Sequence, residues 1–143
     1  MRNAGFWRRV AAMLYDGLLL FAVLMLIGTP FVAARGGEAV EPLTDPAFRL
    51  TLAATIYVFF VGFWTGAGRT LGMQSWGLQL ETTDGGRPGL ATNSLRFIAA
   101  LISWAPCGLG FLWQLRDRDK LTWHDRISGT RIVHYPKPEK RKR

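Results

Sequence analysis

Three uncharged apolar runs constrain this chain more than any other feature. Gly17–Ala34 covers 18 residues, Leu50–Gly68 covers 19 and Phe97–Leu115 another 19, none holding an Asp, Glu, Lys or Arg. Crossing the hydrocarbon core of a bilayer takes about 20 apolar residues at helical rise. An apolar share of 49 % would fit a soluble protein, but three such runs in 143 residues leave too little sequence for a soluble core. The expected fold is an all-α membrane protein with two transmembrane helices and a third, broken hydrophobic segment. The spans fall at about 10–34, 48–68 and 95–115. Residues 1–135 then form one membrane domain and 136–143 a basic C-terminal tail.

The third run departs from a simple span. Pro106, Gly108 and Gly110 sit near its middle, and Pro and Gly are the usual causes of a helix break. Each half is roughly ten residues, about 15 Å at helical rise, or half a bilayer. Charge argues the same way. Of 18 Lys and Arg, three precede the first run (Arg2, Arg8, Arg9), two follow it (Arg35, Arg49), three lie between the second and third (Arg69, Arg87, Arg96) and ten come after. The positive-inside rule puts the N-terminus in the cytoplasm. A third full crossing would place the ten outside, whereas a re-entrant segment keeps them inside. Trp7, Trp64, Trp76, Trp113 and Trp123 then flank the cytoplasmic interface, where Trp is enriched.

The net charge of +8 is concentrated in the tail, where five of the last seven residues are basic. Next to membrane segments such a surplus points to anionic lipid headgroups rather than nucleic acid. A single cysteine, Cys107, builds no intrachain disulfide and no metal cage. The first run exceeds the usual length of a signal-peptide core and carries Asp16 at its edge, so it is expected to remain as a span.

Between the runs the chain shows turn and strand signals. ARGGEAVEPLTDPAF after the first run is rich in Gly and Pro and reads as an exposed loop. Leu78–Glu81 alternates apolar and polar, Asp84-Gly85-Gly86 supplies a turn, and Gly129–Tyr135 is a second short β-like run. A small cytoplasmic sheet of these two runs requires both on one side of the membrane. Gly62 and Gly66 have the small-x-x-x-small spacing of a helix-packing face, which suits a homo-oligomer or a membrane partner.

Asp16 poses the chemical question. It precedes a long apolar run and lies seven residues, two helical turns, from Arg9 on nearly the same face. The blocks GFWRRVAAMLYD, TLGMQSWGLQLETTDGG, LRF and LTWHDRISGTRIV together resemble the RDD family of small integral membrane proteins, over roughly Gly5 to Val133. That family is named for an arginine and two aspartates. The resemblance implies that these are Arg9, with Arg8 as the competing choice, Asp16 and Asp125. It also implies several membrane helices and a proposed role in ion or solute transport.

On this reading Arg9 lies between Asp16 and Asp125, and the net charge of −1 suits exchange of a proton for a cation. The alternative is a membrane anchor or assembly partner in which the triad only fixes helix packing. His124 adjoins Asp125 and is a secondary candidate. His124, His134 and scattered carboxylates do not make a metal site. No nucleophile–base arrangement or phosphate-binding loop is present, so neither catalysis nor a cofactor is expected. The expected location is a bacterial inner membrane.

Overall fold

The computed structural model describes residues 2–136. The basic residues from 137 onward, and with them the tail expected to meet lipid headgroups, lie outside the described residues. Helix α1 spans Phe6–Ala34. Pro30 is inside it and has no N–H to give to the Leu26 carbonyl four residues back. The Thr29 hydroxyl donates to that oxygen instead, at 2.7 Å, so the helix runs on for one more turn. Helix α2 spans Pro46–Gly66, with Asp45 as its N-cap accepting from the Phe48 N–H and Pro46 at the first position. Both features are expected of a helix start. Among the described residues these are the two helices long and apolar enough to cross a membrane. Their outer faces carry exposed Leu14, Leu18, Phe21, Leu26 and Val58, which a lipid environment would cover.

The third apolar run is broken, and it starts earlier than its composition predicts. Helix α4 covers Leu90–Trp104, after a short α3 at Leu71–Ser75. Residues Ala105 to Gly108 then turn the chain, with Cys107 and Gly108 both at positive φ. Helix α5 at Leu109–Leu112 and a 3-10 turn at Trp113–Leu115 continue at 104° to α4. Gly110 makes the fold-back possible. A Cβ there would sit 2.7 Å from both Ser103 Cβ and Trp123 Cε3. Helix α4 is polar inside and apolar outside. Asn93, Arg96 and Ser103 are buried while Leu95, Ile98, Leu101 and Ile102 are exposed. Its start at Leu90 follows from this, because inward-facing Asn93 and Arg96 belong to the helix although they interrupt the apolar run.

The two β-like runs pair as expected. Strands β2 (Leu78–Thr82) and β3 (Thr130–His134) are antiparallel, with Leu80 opposite Ile132. A third strand joins them: β1, Arg2–Asn3, pairs with the other edge of β3, in the order β1-β3-β2. Two residues carry no periodic signal, so the sequence does not announce β1. The sheet thus links the chain before α1, the segment between α2 and α4, and the segment after α6 (Trp123–Ser128). Ala4, Ala12, Met73, Leu78 and Leu80 form the apolar core beside it, with Trp64 and Ile132 against them.

Candidate functional site

Helix α6 is short and strongly capped. Thr122 accepts from the Asp125 N–H at 3.3 Å, and the Asp125 carboxylate accepts from the Thr122 N–H at 3.1 Å, a reciprocal capping box. The box orients the carboxylate toward α1 and α4. Arg9 Nη1 donates to Oδ2 and Arg96 Nη1 to Oδ1, each at 2.6 Å. Arg96 Nη1 also donates to Thr130 Oγ1 at 2.7 Å, and its guanidinium lies 5.3 Å from the Trp64 ring centre. Arg9, Arg96 and Asp125 are each at most 2 % exposed.

Desolvating three charges is costly, and only close, hydrogen-bonded geometry offsets it. Burial alone would raise the Asp125 pKa. The Arg96 and Arg9 guanidiniums outweigh it and hold the carboxyl well below the usual carboxylate range. The cluster therefore carries two positive charges and one negative. Neighbouring His124 is driven the other way. Burial, reinforced by Arg96, lowers its pKa from 6.5 to about 3, so it is neutral at physiological pH.

Asp16 does not join this cluster. Its side chain accepts from the Thr70 hydroxyl and, at 2.8 Å, from the Gly72 N–H. Thr70 is also the N-cap of α3, accepting from Met73 N at 3.2 Å. Gly72 allows the contact, since a Cβ there would overlap the Ala12 carbonyl oxygen and lie 2.8 Å from Asp16 Cγ. The single arrangement expected, with Arg9 between Asp16 and Asp125, is thus replaced by two separate ones. The reason is geometric: two turns of helix separate the side chains, and each meets a nearer partner, Arg9 from α6 and Asp16 from the start of α3.

The two arrangements share a cavity of about 210 Å³ between α1, α2 and α4. Arg9, Arg96, His124 and Asp16 contribute polar lining; Phe60, Trp64, Phe97, Trp104 and Phe111 contribute aromatic walls. Arg9 Nε, Arg96 Nε and His124 Nδ1 are buried without a hydrogen-bond partner among the described residues.

The remaining sequence candidates separate clearly. Arg8 is exposed on the other side of α1. Gly62 and Gly66 are exposed, and nothing lies within 4 Å of a Cβ built on either. They make no close helix contact among the described residues; Gly72 and Gly110 do. Arg96, Thr70 and Gly72 are the site residues that sequence reasoning missed. Arg96 had a legible signal: Asn93, Arg96, Ala99 and Ser103 recur at helical spacing as a polar and small stripe in an otherwise apolar helix. All four are buried.

Comparison with known proteins gives a consistent picture. The model of the RDD family matches residues 3–129. The uncharacterized protein YckC of Bacillus subtilis is 31 % identical over 139 residues, covering 93 % of this chain and 85 % of that protein. The uncharacterized protein YxaI of Bacillus subtilis is 29 % identical over 151 residues, covering 93 % and 98 %. No solved structure matches this chain.

Proposed function

This chain belongs to the RDD family of membrane proteins, and from that premise we propose that it is a transport protein, or the membrane subunit of one, that takes an ion or small solute into the cavity between α1, α2 and α4. One observation carries the reading: Arg9, Arg96, His124 and Asp16 line a single cavity walled by the apolar helices. Ionisable groups within membrane segments mark ion and substrate paths because leaving them there is expensive. The division of labour differs from a simple Arg/Asp/Asp triad. Asp125, held by Arg9, Arg96 and Thr122, fixes the floor of the cavity and ties α6 to α1 and α4. Asp16 borders the same space from the α3 side.

The proposed topology follows from the sheet. β1 and β2 are each hydrogen-bonded to β3, so the N-terminus, the α2–α4 link and the last strand belong on one side. The distribution of basic residues makes that side the cytoplasm of a bacterial inner membrane. Helices α1 and α2 then cross as a hairpin, and α4 and α5 enter and return without crossing. The basic tail meets anionic headgroups, and exposed Gly62 and Gly66 offer a face for a second copy or a membrane partner.

A second reading, a membrane anchor whose charged cluster only sets packing, draws on the complete hydrogen bonding of the Asp125 carboxylate. Flux separates the two. Proteoliposomes with an internal pH dye are given cation and anion gradients, with wild type compared with Ala100→Phe and Asp16→Asn. Ala100 lines the cavity but makes no part of the ion cluster. Transport at the cavity requires wild-type flux well above empty liposomes and loss of it in a folded Ala100→Phe protein. No wild-type flux under any gradient, or equal flux in Ala100→Phe, overturns the reading.

A further inference from the structure

We infer that the cavity binds an amphipathic anion: an anionic headgroup, carboxylate or phosphate, on an apolar chain that enters from the bilayer. The inference rests on the cavity being a ligand site, as proposed above, and names the class of ligand.

The charge balance at the floor comes first. Arg9 and Arg96 share one carboxylate, Asp125, and His124 beside them is unpaired at Nδ1. The hydrogen-bonded cluster of Arg9, Arg96 and Asp125 thus holds one more positive than negative charge. The other carboxylate on the cavity wall, Asp16, already accepts from Thr70 and Gly72 and bonds neither arginine. It stands two helical turns from Arg9 along α1.

The hydrogen-bond balance agrees. Among the described residues, Arg9 Nε and Arg96 Nε are N–H donors with no acceptor, on side chains at least 98 % buried. Buried guanidinium donors left unsatisfied are costly. An anion drawn against the cavity-lining faces of Arg9 and Arg96 brings acceptor oxygens and a negative charge to the two guanidiniums. A cation would add to the surplus of charge and satisfy none of the donors.

The walls select for an apolar chain. Phe60, Trp64, Phe97, Trp104 and Phe111 line the same space as the arginines. Met13, Leu101 and Trp104 also line it, and they are 37 %, 58 % and 49 % exposed on the outer faces of α1 and α4. The cavity is thus bordered by side chains that belong to the lipid-facing surface. A molecule with its head at Arg9 and Arg96 can leave its tail among lipid chains, where a fully polar solute would gain nothing.

The test uses the full chain in detergent and reads saturable quenching of tryptophan fluorescence, since Trp64 and Trp104 line the cavity. The probes are dibromostearate, dibromostearyl alcohol, and brominated phosphatidylglycerol and phosphatidylcholine. The expected result is binding of dibromostearate, brominated phosphatidylglycerol or both at least about tenfold tighter than their uncharged or zwitterionic counterparts. Which of the two binds tells a free carboxylate from a lipid headgroup. Ala100→Phe, which leaves the ion cluster intact, should weaken binding by about tenfold or more. Arg96→Lys, if folded, should narrow the preference for the charged probe. Quenching by both charged probes no stronger than by their uncharged or zwitterionic counterparts, no saturable quenching, or wild-type binding in Ala100→Phe overturns the inference. Because no flux is measured, selective binding without transport would reject the transport reading alone, and transport without selective binding would reject this one alone.

Discussion

Arg96 Nη1 and Asp125 Oδ1 meet at 2.6 Å across 29 residues of chain, while Arg9, from the other end of the molecule, takes the second oxygen of the same carboxylate at the same distance. One aspartate thus holds α1, α4 and α6 together. Breaking a buried pair by removing one partner costs about 3–5 kcal/mol, because the remaining charge stays buried. Asp125→Asn should destabilise the protein on that scale in detergent unfolding. Arg96→Gln should be non-additive with it, since the double variant no longer strands the charge of either partner in this contact. Additive losses would mean that the two side chains act independently.

The glycines offer a sharper test because they divide into two classes. Gly72→Ala drives a methyl into the Ala12 carbonyl oxygen, and Gly110→Ala drives one into Ser103 and Trp123. Overpacking of this kind costs about 1–3 kcal/mol. Gly62→Ala and Gly66→Ala meet nothing within 4 Å and should leave the stability of the single chain unchanged or slightly improved. If Gly62 and Gly66 serve a contact between copies, the same two changes will lower association measured by crosslinking while unfolding stays the same.

Thr70 serves two acceptor and donor roles at once. It caps α3 through Met73 and donates to Asp16. Thr70→Val keeps the shape, removes both bonds and leaves Asp16 with the Gly72 N–H. A loss of about 1–3 kcal/mol is expected. Thr70→Ser should retain most of the stability. If Val and Ser behave alike, the hydroxyl is not what secures Asp16.

His124 predicts an acid-side dependence. Its pKa falls from 6.5 to about 3 on folding, so the unfolded chain binds this proton more readily than the folded one. The stability it contributes is complete above pH 6.5 and is lost as pH falls toward about 3. Each pH unit within that window costs about 1.4 kcal/mol. Between about pH 7 and about pH 5, wild type should lose roughly 2 kcal/mol more than His124→Gln. Parallel pH profiles for the two proteins would place the imidazole in a solvated setting.

Labelling tests the proposed topology. With Cys107→Ser as background, Glu38→Cys lies in the loop between α1 and α2, and Asp84→Cys in the turn after β2. In oriented membrane vesicles an impermeant maleimide should reach these two from opposite sides, and a cysteine at Tyr135 should follow position 84. Labelling of positions 84 and 135 from different sides would mean that α4 and α5 cross.

Much of the architecture was legible in the sequence because it is local. Apolar length specifies α1 and α2, since a helix satisfies its own backbone bonds wherever lipid surrounds it. Pro106 and the glycines near it mark the break and alternation marks β2, whereas the start of α2 at Pro46 lies inside the stretch read as a loop. What the tertiary structure decided is which partner each charge takes. Arg9 and Asp16 share a helix face, which makes them look like a pair, yet Asp16 bonds the start of α3 and Arg9 bonds Asp125. Arg96 reads as an ordinary flanking cation until α4 is seen to turn its polar stripe inward against α6. Strand β1 exists only because β3 offers it an edge. Helical and strand periods are written over a few neighbouring residues. The partner of a buried charge depends instead on which faces meet after distant segments pack, and 116 residues separate Arg9 from Asp125.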